Sequence, residues 1–183
     1  MKPTQTSNLT LHMVASLDGF ISKQDGTVDW MHSQDQYDKG VALTEEDIAD
    51  YLASIDCYVM GSHTYELALQ LGWPYGDKPV VVVSSRSLSS DRASVSFFHG
   101  DIVELVEEQL KARYQNIWLV GGAALAKAFL QSNLVDKITL SIMPIILGGG
   151  TLFFDFIGKE IPLHLEDVKA YQDGMVELSY AVK

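Results

Sequence analysis

The sequence predicts an α/β protein built on one mixed β-sheet. Over the first two thirds of the chain, short apolar runs alternate with segments of helical periodicity, a pattern typical of strand–helix–strand units. The four valines at 80–83 are β-branched throughout, as expected of a strand covered on both faces in a parallel sheet. Residues 163–170 and 175–182 instead predict an antiparallel hairpin around the turn sequence Gln-Asp-Gly at 172–174.

The other elements follow from periodicity and from helix-start signals. Strands are predicted at residues 9–15, 56–60, 79–83, 117–120 and 137–147, and helices after Thr44, at 62–71, at 102–113 and through Leu125–Leu130. Thr44 with Asp47, and Asp101 with Glu104, stand at the spacing of a capping box. Pro144 predicts a bend or an edge in the strand at 137–147, because proline cannot donate to a ladder.

Size and composition limit the classes of function. The 183 residues predict a single domain, 1–183, with a flexible polar tail at 1–7. The formal charge of −11 argues against nucleic acid and anionic membranes as partners, but permits a phosphorylated small molecule held by backbone N–H groups. No run is long enough to span a membrane, and the single cysteine, Cys57, is expected to be a buried, inert thiol. We therefore expect a cytoplasmic protein.

Two glycine-containing turns each connect an apolar strand to a helix. Gly61 precedes Ser62, His63 and Thr64, and the pair Gly121-Gly122 precedes Ala123, Ala124 and Leu125. A helix N-terminus has unsatisfied N–H groups and a partial positive charge, and glycine lets a phosphate approach them closely. Two such turns predict a ligand with more than one phosphate. His63 could contact such a phosphate, but a histidine at a helix start is more often a surface residue without a ligand.

Ser84, Ser85 and Arg86 follow the valine strand directly. Ligands of open α/β sheets bind at the carboxyl ends of strands. Two hydroxyls and a guanidinium there could hold a phosphate monoester, such as the 2′-phosphate of NADPH. A serine-rich turn with a solvated arginine is the alternative.

Asp35 is the candidate for proton chemistry. It follows Trp30 by five residues and precedes Tyr37, so a position at a helix start beside aromatic side chains is predicted, where the pKa of a carboxylate can be raised. A solvated surface carboxylate is the alternative. The five histidines and Cys57 show no metal-ligand spacing, so no metal site is predicted.

These motifs, in this order, resemble the dihydrofolate reductase superfamily, and more closely its branch related to the reductase domain of the bifunctional bacterial riboflavin-biosynthesis deaminase/reductase. Residues 16–19 match the Ser-x-Asp-Gly signature of that branch, and residues 144–150 match its Pro-x-x-x-Gly-x-Gly stretch. The resemblance covers about residues 9–182. It implies a three-layer, Rossmann-like sheet with antiparallel C-terminal strands.

The resemblance also implies an NADPH cofactor and hydride transfer to a C=N bond, as in 5-amino-6-(5-phosphoribosylamino)uracil reductase. By this comparison the Ala15 backbone contacts the nicotinamide, residues 61–64 and 121–125 hold the pyrophosphate, and residues 84–86 hold the adenosine phosphate. Trp30 lies on a mobile loop and, with Asp35, is assigned to the catalytic site. Family members are often homodimers, and a homodimer is expected here. Five apolar residues fit the dimer interface and the core of one chain equally well: Ile142, Ile145, Ile146, Leu152 and Phe153.

Departures from the family pattern keep other functions open. Folate reductases have proline where Asp29 stands, and an arginine that binds the folate tail just before the third main strand, where this chain has no arginine in 76–79. The first alternative is nevertheless a dihydrofolate reductase. The second is a non-catalytic nucleotide-binding or assembly protein, and a flavin-binding module is a further rival.

Overall fold

An eight-stranded mixed sheet forms the centre of the computed structural model, which describes residues 7–183. Within these residues the strands are β1 (Asn8–Ser16), β2 (Phe20–Ser22), β3 (Cys57–Gly61), β4 (Val80–Val83), β5 (Val95–Phe98), β6 (Asn116–Gly121), β7 (Lys137–Met143), β8 (Thr151–Leu152), β9 (Leu163–Ala170) and β10 (Val176–Val182). The order across the large sheet is β5-β4-β3-β6-β1-β7-β10-β9. Among the described strands of this sheet, β10 runs in the direction opposite to the other seven, which confirms the mixed sheet with an antiparallel end.

Helices cover both faces of the sheet. They are α1 (Glu45–Ser54), α2 (Ser62–Gln70), α3 (Ile102–Glu104), which continues as a π-helical turn over Leu105–Leu110, and α4 (Ala123–Gln131). Leu9 and Leu11 of β1 pack with the π-helical turn and α4, whereas Tyr58 and Met60 of β3 pack with α2. Successive residues of a strand point to opposite faces, so the alternation of buried residues along β1 fits this three-layer arrangement.

Helix α1 begins where the sequence predicts it and stands away from the sheet. Thr44 Oγ1 accepts from the Asp47 N–H at 3.1 Å, and Asp47 Oδ2 accepts from the Thr44 N–H at 2.9 Å, which confirms this capping box. No residue of α1 is buried, and the apolar Ile48 is 44% exposed. The space between α1 and the sheet is part of a large cleft.

Two predicted elements are shorter than expected, one predicted capping box is incomplete, and one strand has no counterpart among the predictions. The helix predicted at 102–113 ends at Leu110, and Asp101 caps it alone by accepting from the Val103 N–H at 2.7 Å; within the described chain, no bond to Glu104 completes the second box. Strand β7 stops at Met143, because Pro144 supplies no donor. Strand β5 was not predicted, since its four residues are mostly half-buried and lack clear alternation.

The two riboflavin-branch motifs meet in space. Asp18 accepts from the N–H groups of Leu147 at 3.0 Å and Gly148 at 2.8 Å, and from the Ser16 hydroxyl at 2.6 Å. These bonds, that of Ser16 first, hold the pKa of Asp18 below its usual value. A Cβ at Gly150 would overlap the Ser22 carbonyl oxygen. The glycines therefore allow close backbone approach.

Three further predictions concern the N-terminal tail, the cysteine and the apolar residues of the bent strand. The predicted tail at 1–7 lies outside them except for Ser7, whose hydroxyl donates to the Tyr114 carbonyl at 2.8 Å. The Cys57 thiol is fully buried, which confirms its predicted position, and burial raises its pKa to about 12. Of the apolar set offered as surface or core, Phe153 is buried, while Ile146 is 68% exposed.

Candidate functional site

The predicted binding segments meet at one edge of the sheet. Strands β4, β3 and β6 are parallel neighbours, with Gly61 beside Val83 and Met60 beside Gly121. Their carboxyl ends therefore bring residues 84–86, 61–64 and 121–125 side by side, in the order in which the strands lie. All three segments contribute residues to the wall of the large cleft.

Two helix N-termini open into this cleft without a side-chain cap. The N-cap residues are Gly61 for α2 and Gly122 for α4, and neither has a side chain to accept from the first N–H groups. Gly121 has φ of +105°, a conformation that favours glycine, and a Cβ there would lie 3.0 Å from Met13 Cε. The peptide between Gly121 and Gly122 is cis. Side chains and backbone of six further predicted residues border these N-termini: Ser62, His63, Thr64, Ala123, Ala124 and Leu125.

The segment after β4 is folded and charged. Ser84 Oγ accepts from the Arg86 N–H at 3.0 Å, which closes a local turn. Arg86 Nη2 donates to Glu66 Oε1 of α2 at 2.9 Å, and this bond lowers the pKa of Glu66. Ser84, Ser85, Arg86 and Glu66 all line the cleft.

Ala15 and Trp30 do not present side chains to the cleft. The Ala15 side chain is buried in the core on the other face of the sheet, and Ala15 is not among the residues that line the cleft. Trp30 is 6% exposed, and within the described residues its indole Nε1 has no hydrogen-bond acceptor. Its chain neighbours Val28 and Met31 do line the cleft.

Asp35 lies elsewhere than expected. Residues 32–37 form no helix, so the predicted helix start is wrong, and the Asp35 side chain is exposed rather than set in an aromatic pocket. It lies against Gly174 in the turn between β9 and β10, where an added Cβ would overlap Asp35 Oδ2. Asp35 is not among the residues that line the cleft.

A polar cluster that sequence reasoning missed occupies the end of the cleft beneath α1. His12 Nδ1 lies 2.8 Å from the Tyr51 hydroxyl, and His12 Nε2 lies 3.2 Å from Ser141 Oγ. Ser141 Oγ donates to Glu177 Oε2 at 3.4 Å. One signal in the sequence could have indicated it: β1, β7 and β10 each place polar residues at alternate positions, as a strand does when one face meets a polar cleft.

Burial favours the uncharged forms of three residues in this part of the cleft, His12, Tyr51 and Tyr171. It lowers the pKa of His12 to about 4, so the imidazole is neutral. It also raises the pKa of Tyr51, with a smaller contribution from the negative charge of Glu177. The pKa of Tyr171 rises to about 12, through burial first and the nearby Glu177 second.

The cleft is large enough for more than one ligand. Its volume of about 2110 Å³ exceeds the range of roughly 300–1,000 Å³ that is usual for a single small-molecule site. Its lining residues include both Arg86 and Glu177. Within residues 7–183 no cluster of three or more histidine, cysteine, aspartate or glutamate residues is arranged to hold a metal ion. None of the helices in that part of the chain has the length and apolar character that crossing a bilayer requires.

Comparisons with known proteins give one family model and two bacterial relatives. The family model described as the RibD C-terminal domain matches residues 7–176. The uncharacterized protein YwjB of Bacillus subtilis is 28% identical over 172 residues, which cover 93% of this chain and 95% of YwjB. The uncharacterized protein YyaP of the same organism is 27% identical, with 94% of this chain and 93% of YyaP covered.

Solved structures show the same fold. A putative riboflavin biosynthesis protein from Shewanella superposes with a TM-score of 0.81 at 25% identity, covering 96% of this chain and 99% of that one. A deaminase/5-amino-6-(5-phosphoribosylamino)uracil reductase from Thermotoga maritima gives a TM-score of 0.68 at 14% identity, covering 97% of this chain and 57% of that one. The second likeness concerns the fold alone and confirms the predicted reductase-like architecture.

Proposed function

This chain belongs to the RibD C-terminal domain family, and from that premise we propose that it is an NADPH-dependent reductase of a C=N bond. The proposed substrate is a heterocycle or a ribosylamine, as in 5-amino-6-(5-phosphoribosylamino)uracil reduction. The observation that carries the proposal is the pair of uncapped helix N-termini on adjacent strands, next to Arg86 on the following strand.

The chemistry of this edge fits a dinucleotide with a third phosphate. The free N–H groups at the starts of α2 and α4 suit the two phosphates of a pyrophosphate. Gly122 and Thr64 lie close together between the two N-termini, since a Cβ at Gly122 would be 3.6 Å from Thr64 Oγ1. Arg86 and Ser85 are the groups that would hold a 2′-phosphate.

NADPH, when bound, supplies the hydride. The residues of this chain bind and orient the reactants and exclude water. Ala15 would present its backbone to the nicotinamide at the end of β1, and Val14 beside it lines the cleft. Trp30 remains a proposed contributor through the loop that contains Val28 and Met31, whereas a role for Asp35 would require its segment to move toward the cleft.

The dihydrofolate reductase alternative is disfavoured by Lys78. This lysine is the cation of the 76–79 segment, where folate reductases have their tail-binding arginine. Its ammonium donates to the Ala53 carbonyl at 2.7 Å and to the Ile55 carbonyl, so it closes the C-terminal end of α1. An ammonium group held by these two carbonyl groups is not free to bind the glutamate tail of folate.

Turnover of dihydrofolate would favour the dihydrofolate reductase alternative, and NADPH binding without turnover of any imine would favour a non-catalytic binding protein.

The proposal is tested by titrating the purified protein with NADPH and with NADH and following nicotinamide fluorescence. We expect saturable binding, tighter for NADPH than for NADH, followed by NADPH oxidation with a substrate panel that includes the riboflavin precursor and dihydrofolate. Failure of both nucleotides to bind would overturn the proposal.

We also propose that the chain forms a homodimer. The edge strand β9 pairs along its length with β10 alone, and three of its apolar residues are exposed, which are Leu163, Leu165 and Val168. Edge strands of this kind are usually covered. Light scattering should give about twice the chain mass of 20.2 kDa, and a mass of one chain would exclude the dimer.

A further inference from the structure

The sheet register places Glu177 level with the site proposed for hydride transfer. Val14 of β1 lies beside Ser141 of β7, and Ser141 lies beside Glu177 of β10. Strands are about 4.8 Å apart, so this row spans roughly 10 Å from Val14 to Glu177. All three side chains line the cleft. A single flat ring that covers Ser141 would thus lie between the end of β1 and the Glu177 carboxylate.

The hydrogen bonds of the cluster run in one direction, toward Glu177. Ser141 gives its only hydroxyl proton to Glu177, so its oxygen accepts from His12 Nε2–H. A neutral imidazole with its proton on Nε2 accepts at Nδ1, and Tyr51 therefore donates there. The chain of donors fixes the position of one carboxylate oxygen and supports its negative charge.

Glu177 has no cation to neutralise it. Among residues 7–183 the basic group that comes within ion-pairing distance is His12, at 3.9 Å, and burial leaves that ring neutral at pH 7. The Glu177 side chain is only 21% exposed. A largely buried carboxylate without a cationic partner is costly even when the hydroxyls of Ser141 and Tyr171 donate to it, so its charge is suited to a ligand that brings further N–H donors.

The walls around this carboxylate suit a planar ring. His12 stacks on Trp118 with ring centroids 5.1 Å apart and planes at 20°. Tyr51 meets Trp118 edge-on at 5.5 Å. Ile48 of α1 lines the same part of the cleft and remains 44% exposed. Aromatic and apolar walls with one fixed polar group are the usual form of a site for a heterocycle.

We propose that Glu177, oriented by Ser141 and His12, binds the amidine-like edge of a heterocyclic substrate, that is, a ring N–H and the amino group next to it. Two parallel N–H donors match the two oxygens of a carboxylate. The inference rests on the proposed reductase function for the identity of the ligand as substrate. His12 and Ser141 are positioning residues.

The test measures binding of 2,4-diaminopyrimidine by calorimetry at pH 7.5 with no nucleotide present, so it is independent of turnover. We expect saturable binding that Glu177→Gln weakens at least tenfold, because glutamine offers one acceptor and one opposing donor in place of two acceptors. The matched control is Glu108→Gln, an exposed carboxylate outside the cleft, which should bind as the parent does. The second probe, 2,4-dimethylpyrimidine, has a similar shape but lacks the donors, and it should bind weakly to every variant.

Three results would overturn the inference. These are equal affinity of the parent and Glu177→Gln for the diamino probe, no preference of the parent for that probe over the dimethyl one, and no binding at all. If circular dichroism shows that Glu177→Gln is unfolded, Ser141→Ala decides the matter, with a several-fold loss expected and unchanged affinity contradicting the inference. NADPH titration of each folded variant separates this site from the cofactor site. If the parent protein does not bind NADPH, the proposed function is overturned, but the result for Glu177 still stands.

Discussion

Arg86 and Glu66 form an ion pair in the wall of the cleft, with Arg86 Nη2 2.9 Å from Glu66 Oε1. Both side chains are more than a third exposed, so the surrounding water screens the pair and it contributes little to stability. Its main consequence is for ligands, because any phosphate that binds Arg86 must compete with Glu66.

Arg86→Ala should weaken NADPH binding about tenfold and leave NADH binding nearly unchanged, since a charge-assisted hydrogen bond contributes roughly 1.5–3 kcal/mol and NADH lacks the 2′-phosphate. Nicotinamide fluorescence titrations give both constants. Arg113→Ala, at an exposed site away from the cleft, is the control. Equal losses for both nucleotides would show that Arg86 does not contact the 2′-phosphate.

Glu66→Gln should strengthen NADPH binding a few-fold. The substitution removes the charge that competes for Arg86 and that repels a phosphate, while it keeps the length of the side chain. The gain should diminish as salt concentration rises, because the groups are exposed. Weaker binding of NADPH would instead indicate that Glu66 holds Arg86 in its productive position.

His12 should make folding stability depend on pH between about 6.5 and 4. Its pKa is lowered to about 4 by burial among Trp118, Tyr51, Ser141 and Glu177, whereas the unfolded chain takes up the proton near pH 6.5. The neutral form therefore contributes full stability above pH 6.5, and that contribution is lost as the pH falls toward 4. At pH 5 the loss is about 2 kcal/mol.

Urea unfolding at pH 7.5 and pH 5 measures this effect. The decrease in unfolding free energy should be smaller by that amount in His12→Gln than in the parent protein. His99→Gln, which removes an exposed histidine, should behave as the parent does. An unchanged pH dependence in His12→Gln would show that the imidazole is not the responsible group.

The meeting of the two glycine turns at one edge of the sheet was predictable from sequence, and the Glu177 cluster was not. A strand followed by glycine and a helix is a local pattern, so Gly61 and Gly121 could be identified one at a time, and parallel pairing then brings them together. Ser141 and Glu177 come together through the strand order β1-β7-β10, which local sequence does not encode. Asp35 was misplaced because the spacing argument assumed a helix soon after Trp30, whereas α1 starts only at Glu45.

Cys57 should be unreactive until the protein unfolds. Its thiol is fully buried at the start of β3, and burial raises its pKa to about 12, so almost no thiolate exists at pH 8. A disulfide reagent should label no thiol in buffer and one thiol per chain in denaturing urea. Rapid labelling in buffer would contradict the packing of β3 against β6.

Gly121→Ala should damage both folding and nucleotide binding, and a second glycine separates the two effects. Gly76 also has a positive φ, +56°, but a Cβ there would meet nothing within 4 Å, so Gly76→Ala should cost only the conformational term of about 1–2 kcal/mol. At Gly121 a Cβ would also crowd Met13 Cε at 3.0 Å, directly before the N-terminus of α4. We therefore expect Gly121→Ala to lose more unfolding free energy than Gly76→Ala in urea titrations, and to bind NADPH at least tenfold more weakly while Gly76→Ala binds normally. Equal NADPH affinity in the two folded variants would show that the Gly121 turn does not bind the cofactor.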